Sequence, residues 1–109
     1  MHLLSTTTLI LVAPILALAK DCAIYYTWSG TSNLDVWRDM HAVSMCNDIG
    51  GTMNEVGIEN GGKPNMCGVC RDARGSTRDY ERTISQDTVQ EQIKFTVRCG
   101  WFGQNSCSA

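Results

Sequence analysis

Six cysteines are the feature that most limits what this 109-residue chain can fold into. They are Cys22, Cys46, Cys67, Cys70, Cys99 and Cys107. An even number of cysteines in a short secreted chain predicts a disulfide framework, here of three bridges. Each bridge typically contributes about 2–4 kcal/mol, which compensates for the limited core that so small a domain can bury.

The amino-terminal segment, residues 1–19, has the pattern of a secretory signal peptide. Its apolar run, Leu9–Ala19, is too short for a transmembrane helix and contains Pro14. Ala17-Leu18-Ala19 matches the small-residue pattern of a cleavage site. Residues 20–109 are therefore predicted to form a single disulfide-rich α/β domain that is secreted and extracellular, with no stable membrane span.

The charge of the chain limits its partners. Nine Lys and Arg residues face eleven Asp and Glu residues, so the net charge is −2. A balance of this sign argues against a broad polyanion-binding surface, and no nucleic acid is expected as a partner. It also weakens the hypothesis of a membrane-perturbing antimicrobial protein, which calls for a basic amphipathic helix.

Three strands and one helix are predicted in the first two thirds of the mature chain. Cys22–Trp28 is rich in β-branched and aromatic residues, which favours a strand. Residues 52–59 and 66–71 are predicted to form a hairpin around the turn Asn60–Pro64. A helix is predicted over residues 35–46, opened by a capping box of Ser32 and Asp35, with a buried stripe formed by Val36, Met40 and Val43.

The last third of the chain allows two interpretations. Residues 72–83 are polar and are predicted to form a long surface loop, and residues 104–108 a short final strand. Ile93, Phe95, Val97 and Cys99 alternate with polar residues, as in a strand, but the segment also fits a helix. We predict a helix over residues 86–99, because it would repeat the pattern of the first half, and keep the strand as the alternative.

The predicted fold class is therefore α+β, a βαβ-βαβ two-layer sandwich. In this arrangement a four-stranded antiparallel sheet carries two helices on one face and is stabilised by disulfides.

The candidate catalytic and metal motifs favour structural roles. Cys67 and Cys70 have the C-x-x-C spacing of redox and zinc sites, but the residues after Cys70 do not form an amphipathic helix, and no second close pair is present. On a strand the two would point to opposite faces and bond different partners. His41, the only histidine after the signal peptide, would have to serve any hydrolase site, and a packing role is favoured. The sequence thus predicts no catalytic residues, no metal and no cofactor.

Four arginines are the candidate binding residues: Arg71, Arg74, Arg78 and Arg82. They are clustered and interleaved with Asp72, Asp79 and Glu81 in a segment predicted to be mobile and exposed. A solvated surface loop is the simpler interpretation of these charges. Guanidinium groups bind carboxylates in a bidentate manner, so the sharper hypothesis is recognition of an acidic partner. Trp101-Phe102 is predicted to be part of the core, with an exposed aromatic contact as the alternative.

The run Ser85-Gln86-Asp87, followed by Cys99 and then Ser106-Cys107-Ser108, resembles the last helix and strand of the killer toxins secreted by smut fungi. The helix ending at Cys46 with Gly50-Gly51 after it is similar in order. The resemblance implies a compact βαβ-βαβ sandwich and a secreted, non-enzymatic protein, like the plant-pathogen effectors of the same fold. The lower cysteine count and the lack of dibasic processing sites count against killer activity more than against the fold.

The predicted topology also indicates a disulfide pattern. In a sheet of order 4-1-3-2, the first and last strands are neighbours, which favours Cys22–Cys107. The two helices return the chain to opposite ends of the central strand, which favours Cys67–Cys99 and Cys46–Cys70.

The first functional hypothesis is a secreted fungal effector-like protein that binds a host or competitor protein, or a cell-surface component, without catalysis. The alternatives are a killer-toxin-like or antimicrobial protein that perturbs membranes, and a small secreted hydrolase. Leakage of anionic vesicles would indicate the membrane class, and activity lost on His41→Ala would indicate the hydrolase.

Overall fold

A computed structural model describes residues 18–100 and Cys107, and these fold into one helix and a five-stranded antiparallel sheet. The elements are β1 (Lys20–Trp28), α1 (Asp35–Asp48), β2 (Thr52–Glu59), β3 (Asn65–Ala73), β4 (Arg78–Gln86) and β5 (Val89–Cys99). Across the sheet the strand order is β2-β3-β1-β5-β4. The predicted α+β class is confirmed, and so are the first strand, the helix and the hairpin of β2 and β3.

The second predicted helix is wrong, because residues 89–99 form β5. Ile93, Phe95 and Val97 are each 0% exposed, and Lys94 between them is exposed. Alternation of period two places all three apolar side chains on one face of a strand. The βαβ-βαβ arrangement of four strands and two helices is thereby corrected to five strands with one helix.

The predicted loop over residues 72–83 is also wrong. β3 continues to Ala73, and β4 begins at Arg78, so only residues 74–77 connect them. All nine residues of β4 pair with β5 in one continuous register. The two strands are joined at Asp87, whose φ of 54° is a left-handed conformation that a short polar side chain tolerates.

The core lies between α1 and one face of the sheet. Tyr26 and Phe95 pack at its centre, with ring centroids 5.7 Å apart. The helix face that points to this core carries Arg38, Ala42, Met45 and Cys46.

The predicted buried stripe of α1 is wrong, since Val36 is 68% exposed and Met40 is 55% exposed. The disulfide of Cys46 and the pairing of Arg38 with β5 orient the helix instead. The predicted capping box does not form either, because Leu34 occupies the N-cap position without a side-chain hydrogen bond.

All six cysteines form disulfides, and one of the three predicted pairs is found. Cys46 bonds to Cys70 as predicted, whereas the other bridges are Cys22–Cys99 and Cys67–Cys107. The predicted pairs Cys22–Cys107 and Cys67–Cys99 are wrong because β5, not a later strand, lies beside β1. This neighbour places Cys99 directly opposite Cys22. Cys67 and Cys70 do bond different partners, as their spacing on a strand requires.

Three predictions fall on other parts of the chain. Outside the described residues lie the Trp101-Phe102 pair, the signal peptide up to residue 17, and the final strand except for Cys107. In the part that is described, no helix combines the length and the apolar character needed to cross a membrane.

Candidate functional site

The structure divides the four candidate arginines between different surfaces. Arg71 follows Cys70 in β3, so its side chain points away from α1. Its Nη1 donates a hydrogen bond to Oδ2 of Asp21 at 2.7 Å. Arg74 lies in the connection to β4, where its backbone N–H donates to the carbonyl oxygen of Ile49 at 2.8 Å. These two residues do not form a common site with the other two arginines.

Arg78 and Arg82 lie on the same face of β4, the face toward α1, because they pair with the core residues Val97 and Ile93. The Arg78 guanidinium lies 5.5 Å from the centroid of the Tyr80 ring. Nη2 of Arg82 is 3.6 Å from Oδ2 of Asp48, and the Arg82 side chain is 36% exposed. Ion pairs of this separation at a surface contribute little stability, so both guanidinium groups can exchange their present neighbours for a ligand.

His41 lies close to Arg82 on the α1 side. Burial lowers the pKa of His41, and the positive charge of Arg82 lowers this pKa further. A general base of the Ser-His-Asp type must become an imidazolium, and a neighbouring cation opposes that state. The surroundings of His41 therefore suit a packed neutral side chain.

The other face of β4 carries the acidic residues of this segment. Asp79 pairs with Thr96 and Glu81 pairs with Lys94, on the sheet face away from α1. Oδ1 of Asp79 lies 3.9 Å from Nη1 of Arg98. In the sequence these carboxylates are interleaved with the arginines, but strand alternation places the acidic and the basic side chains of β4 on opposite faces of the sheet.

β4 is the last strand at one side of the sheet. Within the described part of the chain it pairs with β5 alone, so its outer main chain faces solvent. We use the term β4 edge for this outer main chain together with the side chains of Arg78, Asp79, Glu81 and Arg82. The β4 edge combines unpaired peptide groups with a fixed order of charges.

A buried ionic network, which sequence reasoning missed, holds the loop before α1 against β5. Nε and Nη2 of Arg38 donate to the two carboxylate oxygens of Glu91, each at 2.6 Å. Nη1 donates to Oδ1 of Asp35 at 2.6 Å, and Nη2 also donates to the carbonyl oxygen of Ser32 at 3.1 Å. The guanidinium carbon lies 3.8 Å from the centroid of the Trp28 ring. Each of the three guanidinium nitrogens of Arg38 thus donates to an acceptor within the fold, so we assign the network a structural role. The β4 edge remains as the candidate site.

The two carboxylates of the network are held in their ionised forms. A hydrogen bond from Lys63 lowers the pKa of Asp35, with a further contribution from Arg38. Burial acts to raise the pKa of Glu91, but hydrogen bonds from Arg38 and Ser32 outweigh it and lower that pKa below its usual value. Both groups therefore bind protons less readily in the folded state than in the unfolded chain.

We expect the free energy of unfolding to decrease in acid because of these two groups. A carboxyl whose folded pKa is depressed contributes stability above its unfolded pKa, here 3.8 for Asp35 and 4.5 for Glu91. That contribution is lost as the pH falls through the folded values. Urea unfolding measured from pH 6 to pH 2.5 should give a shallower pH slope for Glu91→Gln than for the original chain. Asp79→Asn, at an exposed position, is the control, and an unchanged slope in Glu91→Gln would contradict the assignment.

A second surface feature lies between α1 and β2. A groove of about 400 Å³ is lined by side chains that include Val36, Met40 and Val56. It is the exposed remainder of the apolar stripe that the sequence assigned to the core.

Comparison with known proteins adds no family to this description. No protein-family model matches the chain, and neither a curated protein nor a solved structure matches it. Among the described residues, no group of three or more His, Cys, Asp or Glu side chains is arranged to hold a metal ion.

Proposed function

We propose that this protein is a secreted, fungal effector-like protein that acts by binding a host or competitor target and not by catalysis. The target is a protein or a cell-surface component that presents acidic groups. Three disulfides in a small domain are typical of extracellular proteins, which supports a role outside the cell. The order of the first half, a helix followed by a hairpin, remains similar to that of killer-toxin-like effectors, whereas the last helix that the resemblance implied is replaced by β5.

The observation that carries the proposal is the placement of Arg78 and Arg82. They lie on one face of an edge strand, and the strand register fixes their spacing. A carboxylate-bearing partner can reach both guanidinium groups without displacing a core residue. Arginine is suited to this role because its planar fork of donors matches the geometry of a carboxylate.

The double substitution Arg78→Ala and Arg82→Ala is expected to weaken target binding at least about tenfold, since hydrogen bonds to charged groups contribute about 1.5–3 kcal/mol each. Residues 20–109, with all three disulfides formed, would be immobilised and exposed to extracellular fluid and wall fractions of a host. Retained proteins would be identified by mass spectrometry, and their affinities then measured by calorimetry. The matched control is Arg71→Ala with Arg74→Ala, which removes the same charge from other surfaces.

Three results would contradict the proposal. Equal loss of binding in the control variant would show that net charge, and not the arginine face, is recognised. Leakage of anionic vesicles without any protein partner would indicate the membrane-perturbing class. A hydrolytic activity that disappears on His41→Ala would indicate an enzyme.

A further inference from the structure

The two edges of the sheet are built differently. β2 carries register shifts on both sides of Glu55, and Gly57 has a φ of 75° and donates its backbone N–H to Oη of Tyr26. Bulges of this kind twist an edge strand and protect it from pairing with another chain. β4 has no such interruption, because its register with β5 is continuous from Arg78 to Gln86. Its outer peptide groups therefore form a regular template for one more strand.

The charges of β4 make a second copy of this chain an unsuitable partner. A two-fold axis perpendicular to the sheet would pair β4 with itself antiparallel, and the registers with the largest overlap are centred on Glu81, Arg82 or Thr83. The first two place a charged residue opposite itself, and the third places Arg82 opposite Ile84 and Glu81 opposite Ser85, so that neither charge meets an opposite one. Like charges directly opposite one another destabilise a strand pair.

We propose that the β4 edge accepts an extended segment of another protein as a sixth, antiparallel strand, with a charge order opposite to its own. The segment carries acidic residues opposite Arg78 and Arg82, on the side of α1. It carries basic residues opposite Asp79 and Glu81, on the other side. The inference rests on the proposed binding function and names the form and the chemistry of the partner.

Main-chain hydrogen bonds and side-chain pairs have separate roles in this complex. The peptide groups of β4 provide affinity for any extended chain, and the alternating charges select the register and the sequence. Two of these charged residues form long, exposed ion pairs in the present structure. The nitrogen–oxygen distance is 3.6 Å for Arg82 and Asp48, and 3.9 Å for Arg98 and Asp79. Tyr80 and Ile84 lie on the arginine face, so apolar residues opposite them complete the match.

Two peptides of identical composition test the charge order. Written in its own direction, the matched peptide reads apolar, polar, acidic, basic, apolar, basic, acidic, so that it runs opposite β4 from Ile84 to Arg78. In the exchanged peptide every acidic residue is replaced by a basic one and the reverse. With residues 20–109 in solution, NMR titration should show the matched peptide shifting the amides of β4 and not those of β2. We expect the exchanged peptide to bind at least about tenfold more weakly, because four cross-strand pairs change from attractive to repulsive.

N-methylated forms of the matched peptide test strand addition itself. Methyl groups on alternate backbone nitrogens leave every side chain in place but remove the N–H groups of one peptide edge. Of the two possible phases, one should abolish binding and the other should preserve it, and the matched peptide should slow hydrogen exchange in β4.

Each failure identifies the statement at fault. Absence of any shift in β4 at millimolar matched peptide would overturn strand addition. Binding that both methylated phases preserve would mean recognition by charge without a sixth strand, and the proposed function would stand. Two results would each contradict both the recognition of charge order and the role of Arg78 and Arg82. One is equal affinity of the matched and exchanged peptides. The other is equal affinity of the original chain and of its Arg78→Ala, Arg82→Ala variant for the matched peptide. A dimer joined through β4 in solution would replace the proposed partner by a second copy.

Discussion

Replacing Glu91 by alanine is expected to destabilise the domain by about 3–5 kcal/mol, the range found when one partner of a buried ion pair is removed. The side chains of Arg38 and Glu91 are 1% and 3% exposed, so both charges are shielded from solvent in the folded protein. The guanidinium would remain buried with only Asp35 as a charged partner. Urea unfolding followed by tryptophan fluorescence measures the loss.

The same network provides its own control. Changing both partners, Arg38→Met with Glu91→Leu, should restore much of the stability, because well-packed apolar residues often replace a buried ion pair at little cost. Asp79→Ala with Arg98→Ala removes an exposed pair and should cost less than about 1 kcal/mol. A cost of that small size for Glu91→Ala alone would show that the network does not hold the loop to β5.

Removing the Cys22–Cys99 bridge by substitution of both residues with serine is expected to cost about 4 kcal/mol in the chain-entropy model. The two cysteines are 77 residues apart in sequence, but the other two bridges shorten the covalent path between them to about 35 residues, which lowers the predicted effect. Thermal and urea unfolding of the double serine variant, with the other bridges intact, measures the change.

Peptide mapping of the unreduced protein should accompany that measurement. It should give Cys22 linked to Cys99, and the serine variant should retain Cys46–Cys70 and Cys67–Cys107. A fragment that links Cys22 to Cys107 would restore the pairing predicted from the sequence and would contradict the position of β5 beside β1. The matched comparison is serine substitution of both Cys46 and Cys70, because the bridge between them closes a shorter loop.

The helix predicted over residues 86–99 was wrong because the apolar positions of this segment fit a helix as well as a strand. Both periods fit the apolar positions, and the choice depended on similarity to the first half of the chain. The strand period accounts for more: Phe95 joins Ile93 and Val97 in the core, while Val89, which the helix would have buried, is exposed. β4 was missed because its charged residues suggested a loop, although Tyr80 and Ile84 carry the period of two.

The orientation of α1 lay beyond what a local pattern can provide. Apolar periodicity selected Val36 and Met40 for burial, but the helix buries Arg38 instead. Arg38 and Glu91 are far apart in sequence, so no window of residues predicts that they meet. The hairpin of β2 and β3 and the Cys46–Cys70 bridge could be predicted because turn residues and one strand order determine them. The candidate site was predicted in part, since Arg78 and Arg82 were named but assigned to a mobile loop.

The pattern of disulfides limits what a single proteolytic cleavage can do to this molecule. Every peptide bond between Cys22 and Cys107 lies within a segment whose two sides remain linked through at least one bridge. A single cleavage anywhere in that span therefore yields a two-chain molecule of unchanged composition apart from one added water. Cleavage within residues 74–77 would free one end of β4, yet β5 would remain fastened to β1 by Cys99. The β4 edge can thus survive the loss of chain continuity.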